Sequence, residues 1–137
     1  MKQLEHQIQS SFFGWLKYHP KLNPFIFAIP NGGFIGEVIG KKENGKPLYG
    51  KHWITLHKRQ KEGLKAGVCD IFCAIPSNGK HGLFIEFKAG KNKPSPEQIE
   101  FINNMISQGY ECIVCYTLEQ AIDCLNKYLT GEVHGKL

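Results

Sequence analysis

Aspartate is scarce in this chain: Asp70 and Asp123 are the only two in 137 residues. Acid of either kind is outnumbered where base gathers. Between residues 41 and 65 only Glu43 and Glu62 oppose Lys41, Lys42, Lys46, Lys51, Lys58, Arg59, Lys61 and Lys65, a window net of +6 beside +5 for the whole chain. The remainder is close to neutral, and such a local basic stripe suits a polyanionic partner better than it serves solubility. No apolar run approaches the roughly 20 residues a membrane span needs. The opening MKQLEHQIQS also lacks the apolar stretch of a signal peptide, so a cytoplasmic protein without a membrane partner is expected. Repeats, low-complexity tracts and linkers are absent as well, which predicts a single domain over 1–137 with a basic insertion at about 34–65. The five cysteines, Cys69, Cys73, Cys112, Cys115 and Cys124, are odd in number and lie in apolar stretches. They read as small core residues in a reducing compartment. A zinc site would have to combine Cys112-x-x-Cys115 with Cys69-x3-Cys73, and both pairs fall in strand-like segments, so no zinc is expected.

Periodicity supplies the elements. Leu4, Ile8, Phe12, Trp15 and Leu16 share one helical face within 2–18, and FIFAIP (25–30) reads as a strand closed by Pro30-Asn31-Gly32-Gly33. Residues 34–52 suggest an exposed hairpin, and 54–64 a short basic helix. VCDIFCAIP (68–76) and LFIEFK (83–88), separated by a turn, predict an antiparallel hairpin. Ser95-Pro96-Glu97-Gln98 combines a Ser N-cap, Pro at the first helical position and Gln at the third. It opens a helix with Ile99, Ile102 and Ile106 on one face and Gly109 as its stop. CIVCY (112–116) is a buried strand, and a last helix runs from the Thr117 cap to Gly131.

Asp70 interrupts an otherwise apolar strand, a costly place for a carboxylate. On the second strand, alternation puts Leu83, Ile85 and Phe87 on one face and Phe84, Glu86 and Lys88 on the other. Asn78 lies eight residues from both Asp70 and Glu86, so a three-residue loop centred there pairs the two carboxylates on one face. A two-residue Asn78-Gly79 loop would shift the register by one and separate them. The converging register lets the polar residues share one site. Two carboxylates together repel unless a cation lies between them, and Mg²⁺ is commonly held by one or two carboxylates with waters retained. The chemistry implied is metal-assisted hydrolysis of a phosphodiester, with Lys88 orienting water or neutralising developing charge.

These residues resemble a known family. Gly67-Val68-Cys69-Asp70, then Glu86-Phe87-Lys88, then Ser95-Pro96-Glu97-Gln98 are similar to the PD-(D/E)xK nuclease superfamily and, within it, to the virus-type replication-repair nuclease (VRR-NUC) domain. The resemblance spans roughly 1–128. Over its core, 63–122, the Gly63-x3-Gly67-x2-Asp70 lead-in, the Glu-x-Lys strand, the Ser-x-x-Gln helix start and Gly109-Tyr110 match in order. It implies an α/β, restriction-endonuclease-like core: a mixed central sheet flanked by helices in the order α-β-β-β-α-β, with a basic insertion. It also implies a Mg²⁺- or Mn²⁺-dependent DNA endonuclease. In such domains the metal is bound by residues matching Asp70, Glu86 and the Phe87 backbone carbonyl, with Lys88 catalytic and residues matching Glu5 and Gln98 completing the site. Small standalone members from phages and prophages resemble Holliday-junction resolvases and act as homodimers on branched DNA. Cys69 stands where the family often has proline, and 34–52 has no clear counterpart.

Plainer readings accompany several of these residues. Gln98 also fits the third position of a capping box, Glu5 could reach inward or merely solvate its helix, and Asn31 is either a turn residue or a neighbour of nucleic acid. The lysines of the stripe, with Arg59, are each ordinary surface residues, yet collectively they form the electrostatic footprint of a DNA-backbone contact, with Tyr49 and Trp53 among them. The alternatives to a junction-selective endonuclease are a flap or single-strand nuclease of the same fold, and a DNA-binding module without catalysis.

Overall fold

The computed structural model describes residues 2–30, 38–49 and 58–131. The chain forms two compact units, 1–29 with 67–137, and 30–66. Residues 34–65, where a basic insertion is expected, fall within the second.

In the first unit, helix α1 (Lys2–Leu16) leads into β1 (Ile26–Ala28). After the insertion come β4 (Ile71–Cys73), β5 (Leu83–Phe87), α2 (Pro96–Ser107), β6 (Glu111–Cys115) and α3 (Leu118–Thr130). The sheet order is β1-β4-β5-β6, antiparallel except for β5 and β6, which run parallel and are joined by α2. Each face of the sheet is covered by helices, as a strand as apolar as β5 requires. On one face Phe12 and Leu16 of α1 and Ala121, Leu125 and Tyr128 of α3 pack with Ile71, Cys73, Leu83, Ile85, Phe87, Ile113 and Cys115. On the other, Phe101, Ile102 and Met105 of α2 cover Cys69, Phe84 and Cys112. The cysteines of the two pairs are therefore divided, Cys69 and Cys112 to one face and Cys73 and Cys115 to the other. That division is incompatible with the four-thiol zinc cluster considered above.

The hairpin resolves its two possible registers in an unanticipated way. Ile71 pairs with Ile85 and Cys73 with Leu83, the register that sets Asp70 opposite Glu86. The turn itself, however, is the two-residue one: Ser77 bridges Lys80, and Asn78 and Gly79 both take positive φ, 49° and 77°, as the primed hairpin turn demands. Between Cys73 and Ser77 the first strand carries one residue more than the second carries between Lys80 and Leu83, and this irregularity restores the converging register.

Helix α2 departs from expectation in its rotation. Ile99 and Ile106 are half exposed, and the sheet-facing stripe is Phe101, Ile102 and Met105. Gln98 precedes that stripe at helical spacing, so the same rotation turns its side chain toward β5. In α1, Leu4 is likewise half exposed, whereas Phe12 and Leu16 are fully buried.

In the second unit, β2 (Val38–Lys41) and β3 (Pro47–Tyr49) form the hairpin expected within 34–52. Its turn is closed by Lys42 N–H donating to the Lys46 carbonyl at 2.8 Å and Lys46 N–H to Asn44 Oδ1 at 3.0 Å. Of the expected basic helix, residues 58–61 are helical.

Candidate active site

Four of the residues singled out from sequence converge at one end of β5. Asp70 enters from the segment before β4, and its Oδ2 accepts the Phe87 N–H at 2.8 Å. Its own backbone carbonyl accepts from Ile29 N–H at 2.8 Å, so the residue is fixed to both neighbouring strands. Glu86 is the single charged residue among those fully buried in the described chain, 2% exposed in a strand buried at every position. Lys88 leaves the strand with its N–H on the Cys115 carbonyl at 2.9 Å, and its Nζ lies 3.7 Å from Glu86 Oε1.

Gln98 has both of the roles that sequence left as alternatives. Ser95 Oγ accepts the Gln98 N–H at 3.2 Å, and Gln98 Oε1 accepts the Ser95 N–H at 2.8 Å, a complete capping box. Because the amide oxygen is committed to the cap, Nε2 is left as donor and reaches Glu86 Oε1 at 2.6 Å. The cap thus sets which end of the amide faces the carboxylate. Gly67 sets where the helix starts. With φ at 84°, it lies so close that a Cβ would stand 2.8 Å from Gln98 N and against the Glu97 carbonyl. Only glycine accommodates both that conformation and that approach.

The electrostatics follow from burial. Glu86 has its pKa raised, chiefly by removal from water and next by the Asp70 charge, with Lys88 opposing. Asp70 is also raised by burial, against the lowering effects of the Phe87 N–H and Lys88. Gln98 and Lys88 both engage Glu86 Oε1, leaving Oε2 buried with no hydrogen-bond partner. A buried carboxylate oxygen without a partner is expensive and is the position at which a cation would compensate it. Hard oxygen donors of this kind fit Mg²⁺ or Mn²⁺.

Glu5 approaches that cluster from α1. Its Oε1 accepts from Asn92 Nδ2 at 3.3 Å, and its charge raises the pKa of both Asp70 and Glu86. The described residues contain no group of three His, Cys, Asp or Glu side chains arranged to hold a metal. Lys41, Lys42, Lys46, Lys58, Arg59, Lys61 and Lys65 are all exposed in the second unit. Asn31, Lys51 and Trp53 lie outside the described residues, and Tyr49 lies on β3. Sequence reasoning missed Asn92 and Tyr116. Tyr116 Oη donates to the Asn92 carbonyl at 3.0 Å, and nothing in the spacing of these two residues announces the contact.

A mixed sheet whose inner strand offers Glu-x-Lys, beside an antiparallel neighbour offering Asp, defines a nuclease fold of the PD-(D/E)xK type. The VRR-NUC domain family matches residues 14–118, and the chain belongs to that family. The matched stretch contains Asp70, Glu86, Lys88 and Gln98 and begins after Glu5. Among solved structures, one described as a VRR_NUC domain protein superposes with a TM-score of 0.70 at 22% identity, covering 93% of this chain and 89% of that one. At that identity the likeness speaks for the fold. No curated protein sequence matches. No helix among the described residues is long and apolar enough to cross a membrane.

Proposed function

We propose that this VRR-NUC domain is a divalent-metal-dependent DNA endonuclease in which Asp70, Glu86 and the Phe87 carbonyl hold Mg²⁺ or Mn²⁺. The observation that carries the reading is the Glu86 carboxylate, buried beside Asp70 with Oε2 unpartnered. A bound ion would polarise the phosphodiester and lower the pKa of a coordinated water. The chain's own residues perform the rest. The Phe87 N–H fixes Asp70, and the Gln98 amide and the Lys88 ammonium together fix Glu86 Oε1, so the carboxyl group cannot rotate away. Lys88, with its side chain 13% exposed at the rim, is placed to orient water or to neutralise charge developing on the phosphate. Glu5 contributes through its charge and its grip on Asn92. The exposed cations of the insertion supply sequence-independent backbone contacts.

The family resemblance extends this reading to branched DNA, with two copies of the chain cutting opposite strands as a homodimer. Calorimetric titration of Mn²⁺ tests the metal, with wild type binding near one equivalent per site and Glu86→Gln losing at least tenfold in affinity. Equal binding by the two proteins would remove the metal from the account. Sedimentation at micromolar concentration, with and without a four-way junction, tests the dimer, and a monomer in both would remove it.

A further inference from the structure

The first unit holds nine basic and nine acidic residues and is neutral overall, yet residues 88–93 contain Lys88, Lys91 and Lys93 with no acid. This run belongs to the loop that leaves β5 directly after Glu86 and Lys88 and ends at the Ser95 cap of α2. Lys91 and Lys93 are exposed, and no ion pair ties either to a described residue. Lys88 is already engaged with Glu86. Between the two exposed lysines Asn92 is half buried and bonded three ways. Its N–H donates to the Ala89 carbonyl at 3.1 Å, its Nδ2 to Glu5 of α1 at 3.3 Å, and its carbonyl accepts the Tyr116 hydroxyl beyond β6 at 3.0 Å. The loop is therefore pinned to a helix and to a strand end while its two ammonium groups face water. It borders the carboxylates, since Glu5, which holds Asn92, is near enough for its charge to act on Asp70 and Glu86.

We propose that the 89–94 loop is a preorganised phosphate grip, in which Lys91 and Lys93 hold the DNA backbone beside the reacting phosphodiester. The inference rests on the nuclease reading and adds surface that the basic insertion does not include. Two buried carboxylates repel an incoming phosphodiester, and cations fixed at the rim offset that repulsion without ordering a flexible segment on binding. Asn92 is a positioning residue here, acting through the lysines on either side of it.

The experiment measures binding of fluorescein-labelled single-stranded and four-way-junction DNA in EDTA, across a KCl series, by Asp70→Asn protein with and without Lys91→Gln and Lys93→Gln. Each lost phosphate contact lowers the slope of log K against log salt by about 0.7 to 0.9. The double substitution should therefore reduce the slope by about 1.5 and weaken binding by about two orders of magnitude near 50 mM salt. Asn92→Ala retains both charges and should weaken binding severalfold. In the otherwise wild-type enzyme, the loss caused by the double lysine substitution falls on KM rather than kcat. A slope left unchanged by the double lysine substitution, where the wild type cuts DNA, overturns the grip and leaves the nuclease reading standing. A reduced slope in a protein that cuts nothing does the reverse, and absence of binding by the parent overturns both. Thermal unfolding of the lysine variants within about 2 °C of their parent confirms that folding is intact, as expected of exposed substitutions.

Discussion

Gln98→Glu separates the two roles that the structure gives Gln98. Glutamate at the third helical position completes a capping box as well as glutamine does, so the Ser95 bonds survive. What changes is the 2.6 Å contact with Glu86 Oε1, where an N–H donor becomes a carboxylate. The lost bond to a charged group is worth about 1.5–3 kcal/mol. Repulsion between carboxylates a few ångströms apart adds up to ~4 kcal/mol at an effective dielectric of about 20, an upper bound in a partly hydrated site. A net loss of about 2–5 kcal/mol at pH 8 in EDTA is expected, which lowers Tm by about 8–20 °C at roughly 4 °C per kcal/mol. The pH dependence is diagnostic. The new carboxyl, like Glu86, has its pKa raised in the folded state, so its destabilisation is absent below the unfolded carboxyl pKa and grows as pH rises through the folded one. Urea melts at pH 4.5 and pH 8 should show the deficit of Gln98→Glu shrinking on acidification, while Gln98→Ala, which adds no charge, shows a deficit nearly independent of pH. Ser95→Ala, which breaks only the serine half of the cap, should cost about 1 kcal/mol and leave cleavage nearly intact. A Gln98→Glu protein as stable at pH 8 as wild type, or Ser95→Ala as inactive as Gln98→Ala, would refute this assignment of roles.

Further expectations concern the same site. Because the Asp70 and Glu86 pKa values are raised in the fold, their burial favours the folded state most below their ordinary carboxyl range, and this advantage is lost as pH rises through the raised values. Asp70→Asn should accordingly raise the Tm of EDTA-treated protein at pH 8 and have little effect near pH 4, while abolishing cleavage; calorimetry checks the first and a nicking assay the second. Gly67→Ala, forced into a positive φ and against the first turn of α2, should cost about 2–4 kcal/mol in denaturant titrations and reduce cleavage as Gln98 shifts. Tyr116→Phe removes one hydrogen bond to Asn92 and should cost about 1 kcal/mol in the same assay, with KM raised.

Much of this was legible in the sequence for identifiable reasons. Strand alternation placed Phe84, Glu86 and Lys88 on one face, and the equal spacing of Asp70 and Glu86 about Asn78 gave the register correctly. The turn chemistry of Asn78-Gly79 conflicted with that register, and the extra residue between Cys73 and Ser77 that reconciles them leaves no pattern of its own. The rotation of α2 was misjudged because three isoleucines at helical spacing outweighed Phe101 and Met105. Its true orientation is set by Gly67 and by the Gln98 bond to Glu86, contacts that are distant in sequence. For the same reason Asn92 was invisible: its partners Glu5 and Tyr116 lie 87 and 24 residues away. Lys91 and Lys93 were overlooked because the longer basic run at 41–65 dominated the charge profile.

We infer that the Asp70, Glu86 and Lys88 cluster performs metal-dependent DNA cleavage. Its most direct test is incubation of wild type and Lys88→Ala with an end-labelled immobile four-way junction, beside linear duplex, flap and single-strand DNA, in Mg²⁺, Mn²⁺ or EDTA. Symmetric paired nicks are expected in the junction with either metal, none in EDTA, and at least a hundredfold loss in Lys88→Ala. Cutting that persists in EDTA or in the lysine variant, or a wild type that cuts none of these DNAs, would contradict it.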